Sequence, residues 1–389
     1  MISNLQQKLA SIQKQSSKPE DNKEAAELDF SCSVFENAYD SSHTIGSVPI
    51  KNIFEKDINS LKTLCMCNAD ESIHLEDVVF FDTETTGLGT GTSTAAFLIG
   101  TGYFEGDRFI TKQFLMNDYH QESSMIASLN EILEGHRAVV SYNGKAYDSH
   151  IVNSRSILNR LPRLLDEKMH MDLLHSTRRL YKRRLPSCSM SSIEQSIIGV
   201  HRVDDIPGSE IPEIFFNYIK YKDDTMLKKV VEHNLQDITS MVAIADTLMY
   251  AYENPTKLAY RDDIFSQGLI FEKLDFPDKA KLCYNVLENY PPARQQIAEI
   301  AKKEGDFYGA LEHFMHLSKM QLFDATADIE LAKIYEHSLK DYEKALHHAN
   351  RALEKAGLQM NESSYALIEE IKKRKLRLAG KLSANRKEN

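Results

Sequence analysis

The sequence predicts an α/β domain built on a mixed sheet, followed by an all-α domain of helical repeats. Between Val78 and Tyr250, short apolar segments typical of strands alternate with segments of helical periodicity. Beyond Pro255 the strand-like segments stop, and three similar helical stretches follow one another. The 389 residues are enough for two domains of ordinary size.

Composition limits the classes of protein that fit this chain. It has 47 Lys and Arg against 57 Asp and Glu, a formal net charge of −10, so only local basic patches would attract nucleic acid. The five cysteines form no metal-binding pattern, since Cys65 and Cys67 are spaced C-x-C without a second pair. There is no N-terminal apolar segment and no apolar run of membrane-spanning length. We therefore expect a soluble cytoplasmic protein with reduced thiols and no membrane contact.

The first 77 residues precede the regular pattern and divide into two segments. Residues 1–28 are rich in Gln, Ser, Lys and Glu and poor in aromatic residues, a composition that predicts disorder. Residues 29–77 carry scattered apolar side chains without a clear period. We interpret this second segment as an irregular lead-in that lies across the following domain.

Residues 78–250 are predicted to form the α/β domain. The run Val78–Phe81 is typical of a strand that is buried on both faces. Two further strands, Thr94–Phe104 and Arg108–Leu115, flank a Glu-Gly-Asp turn and predict a hairpin. The remaining predicted elements are strands at Ala138–Tyr142 and Met169–Leu174, and helices around Met125–Leu133, Ile151–Leu158 and Val230–Tyr250.

Residues 256–376 are predicted to form helical repeats. The three similar stretches align so that Ala280, Ala310 and Ala345 fall in register, at separations of 30 and 35 residues. This spacing is close to the period of about 34 residues of a tetratricopeptide helix pair. Such repeats stack through small residues and form a concave groove, so we expect a protein partner there. The alternative is a plain helical bundle with accidental similarity.

Residues 377–389 form a basic tail that continues a run of cations beginning at Lys372. Two interpretations remain open for these cations. They form either a solvated helix face or a contact surface for phosphates.

Four acidic residues carry the prediction of function. Asp82 and Glu84 follow the first strand one residue apart, so both project to the same side of an extended chain. For this pair alone, a solvated strand end is the alternative. Asp148 follows another strand and a glycine turn, where α/β sheets place ligand residues, and Asp237 lies on the last predicted helix. Four carboxylates in one cleft need divalent cations to stay ionised, and all-oxygen ligation favours Mg²⁺ or Mn²⁺.

The residues around these acids resemble the motifs of a known superfamily. Asp82-Thr83-Glu84-Thr85-Thr86-Gly87, Asn143…Tyr147-Asp148 and His233…Asp237 resemble the three motifs of the DEDD 3′→5′ exonucleases. The stretch from 178 to 241 resembles more narrowly the YprB-type ribonuclease H-like proteins, some of which also carry tetratricopeptide repeats. The resemblance implies a ribonuclease H-like mixed sheet flanked by helices, two divalent cations, and a nucleic acid with a 3′ end as substrate. DNA and RNA both remain open.

The resemblance also implies a role for each acid. Asp82 would bridge the two cations. Glu84 and Asp237 would complete the site of one cation, and Asp148 would hold the other, partly through water. His233 lies four residues before Asp237, the position of a tyrosine in one branch of the superfamily, whereas the other branch has histidine five residues before. A histidine here can accept a proton near neutral pH, and a half-exposed helix histidine is the alternative.

Substrate contacts are predicted at three further places. Thr83, Thr85 and Leu88 match positions that hold the terminal nucleotide in the superfamily. Asn143 and Tyr147 border the same cleft by motif position.

A basic tract supplies the third set of predicted contacts, with five cations in seven residues that would follow a nucleic-acid backbone. A solvated helix face is the alternative. The tract comprises Arg178, Arg179, Lys182, Arg183 and Arg184. Asp172 precedes it and is interpreted as a helix N-cap.

Two functional hypotheses of different classes follow. The first is a metal-dependent 3′→5′ exonuclease whose repeats recruit a partner. The second is a catalytically idle adaptor that binds nucleic acid or protein on a nuclease-like fold. The presence of all four acids favours the first, because a binding module has no need for clustered carboxylates. An endonuclease of the same fold is a third possibility.

Overall fold

The computed structural model describes residues 29–67, 71–87, 89, 93–287, 289–320, 324–358 and 362–388. The segment 1–28, for which disorder is predicted, and Leu88 lie outside these residues. The structure confirms the predicted class: a mixed sheet of six strands flanked by helices precedes an all-helical region. No helix within the described ranges combines the length and apolarity needed to cross a bilayer.

The strands form one large sheet and one short ladder. The large sheet has the order β1-β6-β5-β4-β7-β8; β4, β7 and β8 are parallel to one another, and the other neighbours are antiparallel. Strands β2 and β3 pair separately. The strands are β1 Ser33–Tyr39, β2 Thr44–Ile45, β3 Val48–Pro49, β4 Val78–Thr85, β5 Ala96–Glu105, β6 Arg108–Leu115, β7 Ala138–Ser141 and β8 Met169–Asp172.

Strand β1 is a departure from the irregular lead-in that the sequence predicts. It pairs with β6 along its whole length, from Ser33 opposite Leu115 to Tyr39 opposite Phe109. As the edge strand of the sheet it leaves Val34 and Phe35 largely exposed. None of its seven residues is buried, so the alternating apolar pattern that marks a half-buried strand is missing.

The first part of the chain contains eight α-helices among the described residues. They are α1 Ile58–Leu64, α2 Glu122–Glu134, α3 Asp148–Leu158, α4 Leu164–Glu167, α5 Leu173–Tyr181, α6 Met190–Ile193, α7 Ile211–Tyr221 and α8 Thr225–Glu253. A π-helical turn, Glu194–Ile198, continues α6, and single 3₁₀ turns lie at Ile50–Glu55, Leu75–Asp77 and Tyr119–Gln121.

Strand β4 lies between two hydrophobic cores, as its apolar sequence predicts. Phe80 packs into a core that includes Ile238 and Met241 of α8. Phe81 points to the opposite face, into a core that includes Ile151 of α3 and residues of α2. Because side chains alternate along a strand, residues 82 and 84 share the face of Phe80, toward α8, and residue 83 faces α3. The strand therefore sends successive polar side chains to two different helices.

In the part of the chain beyond residue 260 that the structure describes, the regular elements are all helices. Ala280, Ala310 and Ala345, which the sequence places in register, are all fully buried in the second helix of successive pairs. The helices are α9 Arg261–Lys273, α10 Pro277–Asn285, α11 Pro291–Lys303, α12 Phe307–Met320, α13 Thr326–His337, α14 Tyr342–Leu358 and α15 Glu362–Glu388.

Helix α15 runs without a break through the expected start of the basic tail at residue 377. Arg374, Arg377 and Lys381 contact the carboxylate of Glu336, which is fully buried. All three cations therefore help to neutralise a buried acid. The Arg374 side chain is mostly buried, whereas those of Arg377 and Lys381 are 48% and 35% exposed and so lie partly on a solvated helix face.

Candidate metal centre

The end of strand β4 brings Asp82 and Glu84 to the helix α8 side of the sheet. Both follow Phe80 on the same strand face. Glu84 is only 9% exposed, and a β-bulge between Glu84 and Thr85 shifts the register of pairing with β5. A solvated strand end therefore does not describe Glu84.

Helix α8 presents His233 and Asp237 to Glu84. The two α8 residues are four apart and so lie on one helix face. The Nε2 atom of His233 is 3.9 Å from Glu84 Oε1 and 3.7 Å from Asp237 Oδ2. Ligand atoms of these three residues all lie within 4.8 Å of one another, a spacing that suits a shared cation. The register of His233 thus brings its imidazole into the site.

Asp148 starts helix α3 and reaches the same region from the other face of β4. Thr83 donates a hydrogen bond from Oγ1 to Asp148 Oδ1. Gly144 makes this approach possible, because a Cβ there would lie 2.8 Å from the Cβ of Ser141 and 3.0 Å from Asp148 Oδ2. Asp148 and Asp82 are not part of the compact three-residue group.

The four carboxylates carry more negative charge than the surrounding protein compensates. Burial raises the pKa of Asp82 well above its usual range, and the charges of Asp237, Asp148 and Glu84 raise it further. Burial and the charges of Asp237 and Asp148 also raise the pKa of Glu84, and burial raises the pKa of Asp148 to about 6. Hard divalent cations have the charge and the oxygen preference to fit this donor set.

Asp82 is held by a chain of buried polar groups. Asn234, fully buried on α8, donates from Nδ2 to Asp82 Oδ2 at 2.9 Å. Gln113 of β6 donates from Nε2 to Asn234 Oδ1 at 2.9 Å. Gly100 of β5 leaves room for this amide, since a Cβ there would lie 2.2 Å from Asn234 Oδ1. Sequence reasoning missed Asn234, although it lies directly after His233 in the motif.

The loop after the π-helical turn supplies two residues that sequence reasoning did not select, Arg202 and Asp205. Asp205 Oδ1 lies 2.6 Å from His233 Nδ1 and so fixes the ring with Nε2 toward the carboxylates. Arg202 donates to Asp237 Oδ1 and lies between this acid and the buried Glu194. Burial still raises the pKa of Asp237, although Arg202 and His233 lower it. No fixed spacing connects this loop with the motifs, so only the fold brings them together.

Several residues that were predicted to contact substrate hold the site itself. The hydroxyls of Thr85 and Tyr147 both donate to the carbonyl oxygen of Gly87 at 2.8 Å, which fixes the turn after β4. Thr83 is engaged with Asp148, as described above. Asn143 is exposed and adopts a positive φ of 69°. Among the members of this set that the structure describes, which exclude Leu88, Asn143 is the exposed side chain.

Asp172 caps helix α5, as the sequence predicts. Its Oδ1 accepts hydrogen bonds from the backbone N–H of Leu174 at 3.0 Å and of Asn143 at 2.9 Å. The predicted strand that ran to Leu174 therefore ends at Asp172, because the capped helix begins there. The same carboxylate also holds the loop that leads to Asp148.

The basic tract does not form a single face. Arg184 makes an ion pair with Asp263 of α9, with its Nε 3.0 and 3.1 Å from the two carboxylate oxygens. Arg183 stacks over the ring of Phe265 at 4.7 Å, so both residues contact the helical region. Arg179 donates to the carbonyl oxygen of Leu64 and to Ser176. Three cations of the tract, Arg178, Lys182 and Arg183, are exposed, and of these Arg183 is the one that stacks on Phe265.

Comparisons with known proteins agree with this architecture. A family described as the RNase_H superfamily matches residues 79–249, which contain all four carboxylates and His233. The "Uncharacterized protein YprB" of Bacillus subtilis (strain 168) is 32% identical over 294 residues, which cover 72% of this chain and 70% of that protein.

Proposed function

The chain belongs to the RNase H superfamily, and on this basis we propose that it is a metal-dependent 3′→5′ exonuclease. Its substrate would be the 3′ end of single-stranded DNA or RNA, and the reaction would be hydrolysis of the terminal phosphodiester bond. Membership of this superfamily fits a nucleic-acid-processing function and a nuclease activity. The five free cysteines suit a reducing compartment, so we propose that the protein acts in the cytoplasm.

The observation that carries the proposal is the uncompensated carboxylate cluster at the end of β4. RNase H-like nucleases generally use divalent metals, and this donor set fits Mg²⁺ or Mn²⁺. Glu84 and Asp237 would hold one cation, Asp148 the other, and Asp82 both. Bound there, the cations would supply the Lewis acidity and the activated water that phosphodiester hydrolysis requires.

His233 would act as the general base of this reaction. Its Nε2 faces Glu84 and Asp237 at distances too long for hydrogen bonds, so a water molecule between them would be within reach. Asp205 contacts the other ring nitrogen and, in the tautomer that leaves Nε2 unprotonated, accepts a hydrogen bond from Nδ1–H. The imidazole would then be oriented to take a proton from the attacking water.

Residues near the site would bind the nucleic acid. The turn that is fixed by Thr85 and Tyr147 would meet the terminal nucleotide, together with Leu88 and Asn143. The exposed Arg178 and Lys182 would contact backbone phosphates and make binding sensitive to salt. We also propose that the helical region is tetratricopeptide-like and binds a protein partner through its groove, supported by the three buried alanines in register.

The proposed function is tested by degradation of 5′-labelled, sequence-matched DNA and RNA strands with Mg²⁺ or Mn²⁺. Asp82→Ala should abolish shortening of the strand, whereas Asp107→Ala, which alters an exposed acid in the β5–β6 turn, should not. Undiminished degradation by the Asp82 variant contradicts the metal assignment. Cutting of a closed circular strand would identify an endonuclease instead. Binding without turnover on every strand would favour the adaptor.

A further inference from the structure

Arg202 is a buried arginine at the border of the candidate metal centre. Its side chain is 8% exposed. On one side it forms a two-pronged contact with Glu194, with Nε 2.7 Å from Oε2 and Nη2 2.6 Å from Oε1. On the other side Nη2 also donates to Asp237 Oδ1. The guanidinium therefore connects a proposed metal ligand with a carboxylate that lies outside the metal centre.

The two carboxylate oxygens of Asp237 have different neighbours. Oδ1 accepts from Arg202, and Oδ2 faces Nε2 of His233 at 3.7 Å. The planar guanidinium has a fixed set of donor directions, so it restricts the rotation of a carboxylate more than an ammonium does. Asp237 is thereby oriented with one oxygen toward the cation position.

The same guanidinium contacts the acid that orients His233. Its Nη1 lies 3.3 Å from Asp205 Oδ2 and 3.3 Å from His233 Nδ1. Asp205 in turn lies 2.6 Å from that ring nitrogen. One side chain thus fixes both residues of α8 that face Glu84.

Arg202 is itself anchored to a rigid part of the fold. Glu194 is 1% exposed and begins the π-helical turn. Ser240 of α8 donates to Glu194 Oε1 at 2.5 Å, and the backbone N–H of Val200 donates to the Glu194 carbonyl oxygen at 2.9 Å. The turn ends at Gly199, whose φ of 71° starts the loop that carries Arg202. Glu194 therefore connects the loop that carries Arg202 to helix α8.

We propose that Arg202, held by Glu194, is a positioning residue that orients Asp237 for cation binding and His233, through Asp205, for proton transfer. This inference rests on the proposed nuclease function. Residues that orient metal ligands typically change metal affinity or activity by about 10–100-fold when they are replaced.

The test uses a variant that leaves no buried charge without its partner. Replacing Arg202 alone would leave Glu194 buried and unpaired, and the chain could fail to fold. The Glu194→Gln, Arg202→Gln double variant removes both charges. The matched control is Glu122→Gln, Arg155→Gln, because these residues form a similar two-pronged pair between α2 and α3, at 2.5 and 2.6 Å. A third variant, Arg202→Lys, keeps the positive charge but lacks the planar guanidinium that makes the two-pronged contact.

We expect the Glu194–Arg202 double variant to lose about tenfold or more in kcat at saturating Mn²⁺ relative to the control, with KM for the oligonucleotide within about twofold. Calorimetric titration of the substrate-free protein should show Mn²⁺ affinity that is weaker by a similar factor. Arg202→Lys should lie between wild type and the double variant. These readouts depend on the site geometry, whereas a merely stabilising ion pair would affect both double variants alike.

Two outcomes overturn the inference. The first is a kcat and a Mn²⁺ affinity of the Glu194–Arg202 double variant that both match the control. The second is full activity of that variant alongside a loss in the control. If wild type cleaves no strand, the proposed function fails, and the Mn²⁺ titration then decides the role of Arg202 alone. In that case, weaker Mn²⁺ binding by the Glu194–Arg202 double variant than by the control supports the positioning role of Arg202, and equal Mn²⁺ binding refutes it.

Discussion

Two sets of buried carboxylates in this protein differ in the charges around them. At the end of β4, burial raises the pKa of Asp82 and Glu84 well above the usual range, and neighbouring acids add to the effect. In the helical region, Asp328 and Glu336 are fully buried as well. Burial would raise the pKa of Asp328, but hydrogen bonds from His348 and other neighbours outweigh it and lower the pKa to about 2.

Glu336 follows the second pattern. Burial would raise its pKa, and hydrogen bonds from Arg377 and Lys381 instead lower it to about 2. The acids of the helical region thus have their counter-charges built into the chain, whereas those at the sheet end depend on charge from outside. Burial of an acid by itself therefore indicates nothing about function. A buried acid without enough cationic partners is what marks the candidate site.

The largest expected effect is a change in the free energy of unfolding that has opposite signs for the two sets of carboxylates. Asp328→Leu removes the carboxylate that lies 2.8 Å from the buried ammonium of Lys355. Leaving a buried charge without its partner should lower the free energy of unfolding by about 3–5 kcal/mol. Asp82→Asn should instead stabilise the metal-free protein, by about 1 kcal/mol, because it reduces repulsion among like charges. Urea unfolding in chelator measures both changes.

The control for this comparison removes the buried charge that the Asp328→Leu change leaves without a partner. Asp328→Leu combined with Lys355→Met should recover most of the lost stability. A destabilised Asp82→Asn protein, or an unaffected Asp328→Leu protein, would mean that the two sets do not differ in the way described.

Divalent cations should stabilise one set and leave the other unchanged. If they occupy the β4 site, Mn²⁺ at a hundred times its dissociation constant should add about 2.7 kcal/mol to the free energy of unfolding. This gain in stability should persist in the Asp328→Leu variant. It should disappear in the double variant that carries both Asp82→Asn and Asp148→Asn. Thermal unfolding with and without Mn²⁺ measures it. An equal gain in the wild type, the Asp328→Leu variant and the double variant would mean that the cation binds elsewhere.

A pair of glycines on β5 distinguishes support of the site from ordinary packing. A Cβ at Gly100 would meet Asn234, which holds Asp82, whereas a Cβ at Gly102 would meet Phe109 and Ile238 in the core. Both Gly→Ala changes should destabilise the protein by about 1–3 kcal/mol through overpacking.

The activities of the two glycine variants should nevertheless differ. Per folded molecule, Gly100→Ala should lose about tenfold in kcat, because it disturbs the support of a metal ligand. Gly102→Ala should retain most of the wild-type rate. Equal losses in kcat at equal folded fractions would count against a specific role of Asn234.

The two sets should also differ in the pH dependence of their stability without metal. The pKa of Asp148 is raised to about 6, so its destabilising contribution appears as pH rises from about 4 through 6. The pKa values of Asp328 and Glu336 are lowered to about 2, so their stabilising contribution is present above about pH 4.5 and is lost as pH falls toward 2. Asp148→Asn should therefore flatten the pH dependence between 4 and 7, measured by urea unfolding in chelator, and leave the acid limb below pH 4 unchanged.

Much of the fold could be predicted because apolar patterning follows burial. The strand at Val78–Phe81, the hairpin that follows and the long helix around Val230–Tyr250 all have one or both faces in a core, and each carries the matching period. Strand β1 and helix α7 escaped prediction. For β1 the reason is that its partner residues in β6 lie 70 to 82 residues away, and none of its own residues is buried.

The sequence by itself determined which of these residues share one face of a strand or of a helix. Two carboxylates one residue apart after a buried strand must share a face, and His233 and Asp237 must share a helix face, because both facts follow from local backbone periods. Only the tertiary structure decided how these groups are held. Arg202, Asp205, Gln113 and Gly100 reach the site from a loop and two other strands, through contacts that no local period encodes. Such contacts depend on long-range packing, and packing is also what leaves the carboxylates of β4 and α8 without enough countercharge.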